Sequence, residues 1–423
     1  MPTLTGASSA PLQLEDVNDI IPLLVEKTNA LDARIKDNGR SNRVSTKSYR
    51  VRIQFALTGT VAKIGLDGSS LPDGGSSQWD QFTLTPLAYA VPIQYTRLAD
   101  LVGEPNDVSS INPVSKTIAD AAIYIQRMRD IFLQTAGFGI VGTVDATYAG
   151  GGVNPIILAS TPFGGRLLHI GQKVTVMNAA QTIARGSCTI NSLFNALGST
   201  QTITVDVVPA NTVATDVIVI DGIATGQDPF INGIPVFHST SQAGTLMGIP
   251  RTQSYVVANG VNAANAQVTL PLFRLSQTQV EVALGPEGLK DQLWHTNPSQ
   301  RQAYEELGFQ LQFLPLEGGK ARDFDGLFAG KFTIDGREVL TNVHADQTRW
   351  DLINVKSWGK VKWGNPPFWF KNRGGQTVFQ QYDIATGNPK TIEKSYLVDA
   401  VQFYLDNPKS VSSITSAKVP TGN

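Results

Sequence analysis

Apolar residues alternate with polar ones at Val51, Ile53 and Phe55, separated by Arg52 and Gln54, and that period of two predicts a half-buried strand. Phe82, Leu84 and the stretch Leu87 to Val91 form the returning side. Between them lie Asp67-Gly68, Pro72 and Asp73-Gly74-Gly75, turn formers with little to bury. The expectation is a hairpin arm that reaches away from any core. Asn112-Pro113 then reads as an N-cap followed by proline at the first helical position. Ile118, Ala121, Ala122, Ile125, Met128 and Phe132 recur at helical spacing until Gly137, so the pattern predicts a helix from Pro113 to Ala136, about 36 Å long. Its core stripe is Ile118, Ala122, Ile125, Met128 and Phe132. Near the other end, Ser395 to Leu405 reads as a strand of about the same 36 Å. Tyr396, Val398, Ala400 and Tyr404 line one side of it, and Leu397, Val401, Phe403 and Leu405 the other. A long helix lying across a long sheet covers both.

Ahead of the hairpin, Asp19 and Pro22 read as the cap and first turn of a helix with Leu24, Thr28, Leu31 and Ile35 on one face. Arg34, Lys36, Arg40, Arg43, Lys47, Arg50 and Arg52 follow with only Asp37 among them. This basic arm is either a solvated linker or a contact with packaged nucleic acid or acidic neighbours. In the middle of the chain, Val174 and Val176, Cys188 and Ile190, then Ile203, Val205 and Val207 alternate with polar residues, and Val217 to Ile220 ends at Asp221-Gly222. Residues 165–225 therefore read as a small antiparallel β-domain with the look of an insertion. The stretch from Leu270 to Leu314 mixes short strands with helical spacing, as an α/β layer would.

Composition narrows the function. The 423 residues hold enough apolar content, 41%, for two or three domains, without an apolar run long enough to span a membrane and without a signal-like start. A net charge of -1 gives no global field to steer toward nucleic acid or a membrane. Charged residues make up only 16%, against roughly 25% in ordinary soluble domains, as expected where surface packs against other copies. Cys188, the single cysteine, excludes an internal disulfide and fits a reducing cytoplasm.

Enzyme signatures fail on context. Gly137-Phe138-Gly139-Ile140-Val141-Gly142 spells the dinucleotide fingerprint but follows a helix, where that site needs a strand before it and a helix after it. Gly326 to Lys331 is one spacer short of a phosphate loop, and Phe332 stands where a hydroxyl would hold magnesium. His344 with Asp346 is the nearest approach to a metal pair, and two ligands read as a surface loop rather than a site. There is no Gly-x-Ser-x-Gly elbow, Cys188 sits in an alternating strand, and the pairs Glu305-Glu306 and Asp323 with Asp325 read as a solvated face and a turn. No catalytic residue, cofactor or metal is expected.

Taken in order, the elements resemble the major capsid proteins of tailed bacteriophages, the Hong Kong 97-type fold, an α+β architecture. Residues 1–50 look like its N-terminal arm, 51–92 like its extended E-loop and 93–137 like the P-domain with its spine helix. Residues 138–325 look like the A-domain with the inserted β-domain at about 165–225, residues 326–410 like the return through the P-domain sheet, and 411–423 like a C-terminal tail. Phe230-Ile231-Asn232-Gly233-Ile234-Pro235-Val236 looks like the family's short Gly-x-Pro-Val lead-in to a strand, and Leu405-Asp406-Asn407-Pro408-Lys409 resembles its closing P-domain strand. The resemblance implies a non-enzymatic virion subunit, made in the host cytoplasm, that assembles with itself as hexamers and pentamers into an icosahedral shell around double-stranded DNA. Since the chain has no room for a cleaved scaffolding segment, the resemblance implies a separate scaffold or none, with portal and decoration proteins as other partners. It also implies E-loop contacts to neighbours at Lys63, Leu66, Leu71 and Trp79. Certain relatives join an E-loop lysine to an asparagine of a neighbour, and Lys63 is the lone lysine of that region, though no partner or catalytic carboxylate can be assigned. A tail tube or decoration protein is the rival reading, and a hydrolase a more distant one.

Overall fold

The computed structural model describes residues 31–37, 41–45, 47–57, 75–96, 113–194, 200–226, 229–238, 244–251, 260–312, 333–383 and 386–419. The chain is α+β and rich in sheet, and it divides into two compact units. One comprises Met1–Ala33, Leu87–Ile231 and Lys362–Val401, and the other Arg34–Pro86, Asn232–Val361 and Gln402–Asn423.

In the first unit the long helix runs from Pro113 to Gln134. Gly137, at φ +89°, then turns the chain with a backbone conformation that other residues adopt only under strain. The helix lays Ala121 and Ile125 on Val91, Ile93, Tyr95 and Leu397, a core closed by Tyr89, Tyr124 and Trp369. Those partners sit on a sheet whose centre is the strand Pro389–Leu405, longer than its apolar run indicated and about 56 Å from end to end. Along one edge, Ile392 to Val401 pair antiparallel with Thr96 to Leu87. Along the other, Phe368–Trp369 and Val378–Tyr382 pair with it. Ile118 departs from the expected stripe: it is 36% exposed, while Ala121, Ile125, Met128 and Phe132 are buried and Ala122 is half-buried. The stripe drifts off the sheet toward the helix start because 3.6 residues per turn do not repeat in step with a flat partner.

Beneath that contact is a buried polar clamp. Arg129 on the helix donates to both carboxylate oxygens of Asp399 on the long strand, at 2.8 and 2.9 Å. Tyr89 donates its hydroxyl proton to the same carboxylate at 2.6 Å, and Asp32 lies 3.4 Å from the Arg129 guanidinium. Burial opposes the charge on Arg129, but the bond from Asp399 and the charges of Asp399 and Asp32 outweigh it and hold the guanidinium ionised. Burial, with Asp399 beside it, likewise keeps Tyr89 protonated well above the usual phenol range.

Directly after the helix the chain forms a six-stranded antiparallel barrel. Its strands lie in the order Ile140–Thr143, Val217–Ile220, Lys173–Met177, Ala184–Phe194, Gln201–Val205 and Ile156–Leu158. The ring closes where Val144 bridges Leu158, with Ala159 N–H donating to Thr143 and Asp145 N–H donating to Ile157. Val141, Ile156, Val174, Val176, Ile190, Ile203 and Ile218 fill the interior. The alternation at 165–225 falls on strands of this barrel, whose first strands lie upstream of that range, and Val207 is exposed. Ile220 N–H bonds to Gly139 at 3.2 Å, so the chain enters and leaves the barrel at one point.

The expected boundary at 137/138 is not where the compact units divide. The barrel stays with the long helix because His169 stacks on Tyr124, with ring centroids 4.6 Å apart, and Phe132 meets Phe230 edge-on at 4.8 Å. The boundary at 325/326 lies outside the described residues.

The second unit contains a mixed sheet ordered Val261–Asn262, Ser412–Thr415, Trp350–Asn354, Gln292–Thr296, Arg337–Thr341 and Thr333–Ile334. The helices Leu270–Leu284 and Pro298–Gln312 accompany it. Phe273 is the centre of its core and meets Trp294, Tyr304 and Trp350 edge-on. The Gly-x-Pro-Val segment forms no strand: Ile234–Phe237 is one helical turn, since Pro235 has φ suited to a helix start and no N–H for a ladder. After Leu405, Asn407 accepts a bond from Lys409 N–H, and the tight turn Pro408–Ser410 feeds the strand Ser412–Thr415.

Asp399→Leu alone should destabilise the fold by about 3–5 kcal/mol in urea titrations, because Arg129 is left buried without its partner, whereas Asp399→Leu with Arg129→Met should recover most of that loss.

Candidate functional site

The strand pair predicted near residue 51 is present, but its geometry differs from the sequence expectation. Tyr49–Ala56 pairs antiparallel with Gln78–Leu84, in the register Tyr49 to Leu84 and Ile53 to Asp80. Leu87 to Val91 is not its returning side; those residues begin the next strand and pair with Pro389–Leu405. A two-residue break at Thr85-Pro86 explains the change, since proline ends the ladder of the first sheet. Nor does the base of the hairpin stand clear of a core. Tyr49, Val51, Ile53, Phe82 and Leu84 are buried against Ile249, Val361 and Tyr404. Gly359 permits that packing, because a Cβ there would overlap the Tyr404 ring.

The outward face of this sheet is the candidate site. Asn42–Arg43 adds a third strand, with Asn42 opposite Arg50. Across the hairpin, Arg50 faces Thr83, Arg52 faces Gln81 and Gln54 faces Trp79, and all six side chains are exposed. Trp79 is 63% exposed, and together with Arg52, Asp80 and Gln81 it lines a shallow groove. An indole beside a guanidinium, on a rigid strand pair with a buried back, is the composition of a protein contact surface. Lys63, Leu66 and Leu71 lie outside the described residues, as does Arg40.

The basic residues do not act as one run. Arg34 forms a two-pronged ion pair with Glu338, at 2.8 and 2.9 Å. Lys36 is exposed, on a short strand parallel to Trp358–Lys362. Arg43 donates to the Ser45 carbonyl at 3.1 Å, while Lys47, Arg50 and Arg52 are exposed. Arg43, Lys47, Arg50 and Arg52 therefore cluster on or beside the hairpin sheet.

Cys188 is buried in the barrel, where burial and Asp206 push its thiol up to about 11. Gly137 to Gly142 leads into the barrel strand Ile140–Thr143 rather than into a helix N-terminus. Glu305 pairs with Arg301 one helical turn away. The surface-loop reading of His344 and Asp346 is corrected: His344 is buried, and Asp346 accepts from the Thr348 N–H and hydroxyl, each at 2.7 Å. Gly326 to Lys331, Asp323 and Asp325 lie outside the described residues.

Sequence reasoning also missed a buried triad in the second unit. His238 Nδ1 lies 3.0 Å from Asp351, to which Arg349 donates at 2.7 Å. Burial alone would push the Asp351 carboxyl up; Arg349 and His238 reverse that and hold it well below the usual carboxylate range. Burial holds His238 below the ordinary histidine range, with Asp351 opposing and Arg349 reinforcing the shift. His238 and Asp351 are 113 residues apart and carry no spacing signal.

No family model matches the chain, and no curated protein matches it in sequence. Solved structures do match over nearly the whole length. The chain is similar to one from the cyanophage A-1(L) capsid asymmetric unit, with 13% identity and TM-score 0.52, covering 95% of this chain and 100% of that one. The fold is that of a phage capsid chain. Lower-scoring likenesses are to the capsid of a native GTA particle, with 11% identity, TM-score 0.48 and coverage of 95% and 94%, and to a structure of Mycobacterium phage Adephagia, with 11% identity, TM-score 0.47 and coverage of 99% of each chain.

The triad predicts an acid-sensitive fold. His238 is neutral in the folded chain and gains a proton on unfolding once the pH is below its ordinary value near 6.5. The stability it contributes is therefore present above about pH 6.5 and is lost as the pH falls from there toward its depressed folded value. Urea midpoints measured from pH 7.5 down to pH 5.5 should fall in the wild type, and more shallowly in His238→Gln.

Proposed function

We propose that this chain is a structural subunit that assembles with copies of itself, as pentamers and hexamers, into an icosahedral virion shell around double-stranded DNA. The capsid fold over 95% of the chain is the observation that carries the reading. The low charge of 16% and the outward Trp79 and Arg52 support it, because both suit a surface that meets other copies. Such closed assembly needs heterologous patches repeated at a fixed angle, and a hairpin with a buried root and an exposed face supplies one of them.

Within this reading, the hairpin is the E-loop, the helix Pro113–Gln134 the spine of the P-domain, and Pro389–Leu405 its long strand. Lys63, Leu66, Leu71 and Trp79 are the E-loop residues that contact a neighbour. The role is mechanical rather than catalytic. Assembly takes place in the host cytoplasm, with a separate scaffold, a portal and decoration proteins as further partners. Among the described residues no helix is long and apolar enough to cross a membrane.

Electron microscopy of the purified protein should show closed shells or five- and six-fold rings; a uniformly monomeric protein under all assembly conditions would overturn the proposal. Trp79→Ala should leave thermal unfolding of the subunit unchanged and raise the concentration at which shells form at least about tenfold, as truncation of a contact hot spot does. Arg43, Lys47 and Arg50 changed together to Gln should leave the fold intact and flatten the salt dependence of DNA retention by up to about 0.9 in log–log slope for each phosphate that is no longer neutralised. An unaltered slope would assign the cluster to protein neighbours instead.

A further inference from the structure

The helix Leu270–Leu284 of the second unit buries one face in the core and leaves the opposite face uncovered. Phe273, Ser276, Gln277 and Val280 are on the buried side, where Phe273 and Val280 join the apolar cluster and Ser276 donates to the Ser412 hydroxyl at 2.9 Å. On the far side Pro271, Leu275, Thr278 and Val282 are all exposed, Leu275 by 48% and Val282 by 82%. Single exposed apolar residues are ordinary. These four are spaced by four, three and four, which at 3.6 residues per turn sets them in one seam about 17 Å long. Thr278 suits such a seam. Its hydroxyl donates back to the Arg274 carbonyl at 2.9 Å, which satisfies the polar atom and leaves the methyl group for packing.

We propose that this seam is where two copies of the chain pair, antiparallel and about a two-fold axis. The charges beside it select a second copy as the occupant. Arg274 and Glu281 are exposed, seven residues apart and on the same flank of the seam. Among the described residues neither forms an ion pair within its own subunit, although Arg337 lies in the field of Glu281. In a two-fold contact one patch serves both partners, so that residue i meets j and j meets i. Laid antiparallel, the seam packs Leu275 on Thr278 of the second copy and Val282 on Pro271 of the second copy. Each pairing occurs twice and sets a branched side chain against a compact one. The register that stacks these layers also brings Arg274 to Glu281 of the second copy, again twice. A parallel pair would instead place the charged flank against the opposite one, where Gln279 would face Arg274, and would leave the charges without partners.

Two helices of this length bury less than the roughly 1,200 Å² of a stable interface, so the pair is weak alone and adds to other contacts. In the shell proposed above it has a definite place. Contacts within a ring of subunits are head-to-tail, whereas a two-fold contact joins one ring to the next.

Disulfide trapping in the full-length protein reads the geometry. In this register Thr278 lies about 5 Å along the helix axis from its own copy, and Val282 about 17 Å from its own, at 1.5 Å rise per residue. Oxidation of dilute, unassembled subunits should therefore link Thr278→Cys into dimers on a non-reducing denaturing gel. Val282→Cys alone should stay monomeric, and Val282→Cys with Pro271→Cys should link. The wild type, whose one cysteine is buried, is the control. No link in any variant, or Val282→Cys linking as fast as Thr278→Cys, would overturn the proposal.

Charge exchange supplies the second reading. In the Thr278→Cys protein, Arg274→Glu sets like charges together twice and should slow linking about tenfold. Adding Glu281→Arg should restore the rate; no slowing by the first change, or no recovery with the second, would also overturn the pairing. Both readings use unassembled subunits. Shells without links would remove this contact alone, and links without shells would remove only the shell reading.

Discussion

The first unit is organised around one carboxylate. Asp399 takes two bonds from Arg129 and one from Tyr89, and so joins the long helix, the long strand and that strand's neighbour at a single buried point. Apolar packing alone would allow the helix to slide or rotate on the sheet, because Ala121, Ile125 and Leu397 have no directional preference. A guanidinium in a low-dielectric interior allows no such freedom: if the helix turns by one residue, two charges lose their partners. The clamp thus sets the register between elements whose attraction comes from the hydrophobic effect. Asp32 ties the start of the described chain to the same place.

Much of this architecture was legible in the sequence because its signals are local. The helix from Pro113, the alternating strands of the barrel and the apolar run ending at Leu405 follow from periodicity and caps, which act over a few residues. The order of those elements was enough for the capsid resemblance. What could not be read is long-range partnership. Arg129 and Asp399 are 270 residues apart, and in sequence Arg129 is one of three charges within five residues while Asp399 is a single charge in an apolar run. His344 looked exposed because a lone histidine in a polar stretch gives no sign of burial. Leu87 to Val91 were placed in the hairpin because alternation shows that a segment is a strand but not which strand it pairs with. Pro235 in the Gly-x-Pro-Val segment shows the converse case: the segment was read through a resemblance alone, while its proline starts one helical turn.

The candidate surface follows the same division. Trp79 and the cations Arg50 and Arg52 were named from sequence, yet the common exposed face that unites them with Gln54, Gln81 and Thr83 depends on register. Arg34 was grouped with the others by proximity in the chain, although Glu338 neutralises it. A run of like charges in sequence is a run in space only if the backbone keeps the side chains on one side.

The barrel's single point of attachment has a consequence of another kind. Its strands leave no open edge, since Val144 and Leu158 close the ring, and its two ends meet where Ile220 bonds to Gly139. A domain whose ends are that close can be excised or exchanged without stretching the scaffold that bears it. Evolution could therefore lose, gain or replace it without rebuilding the clamp, and a designer could graft a foreign domain at the same two residues.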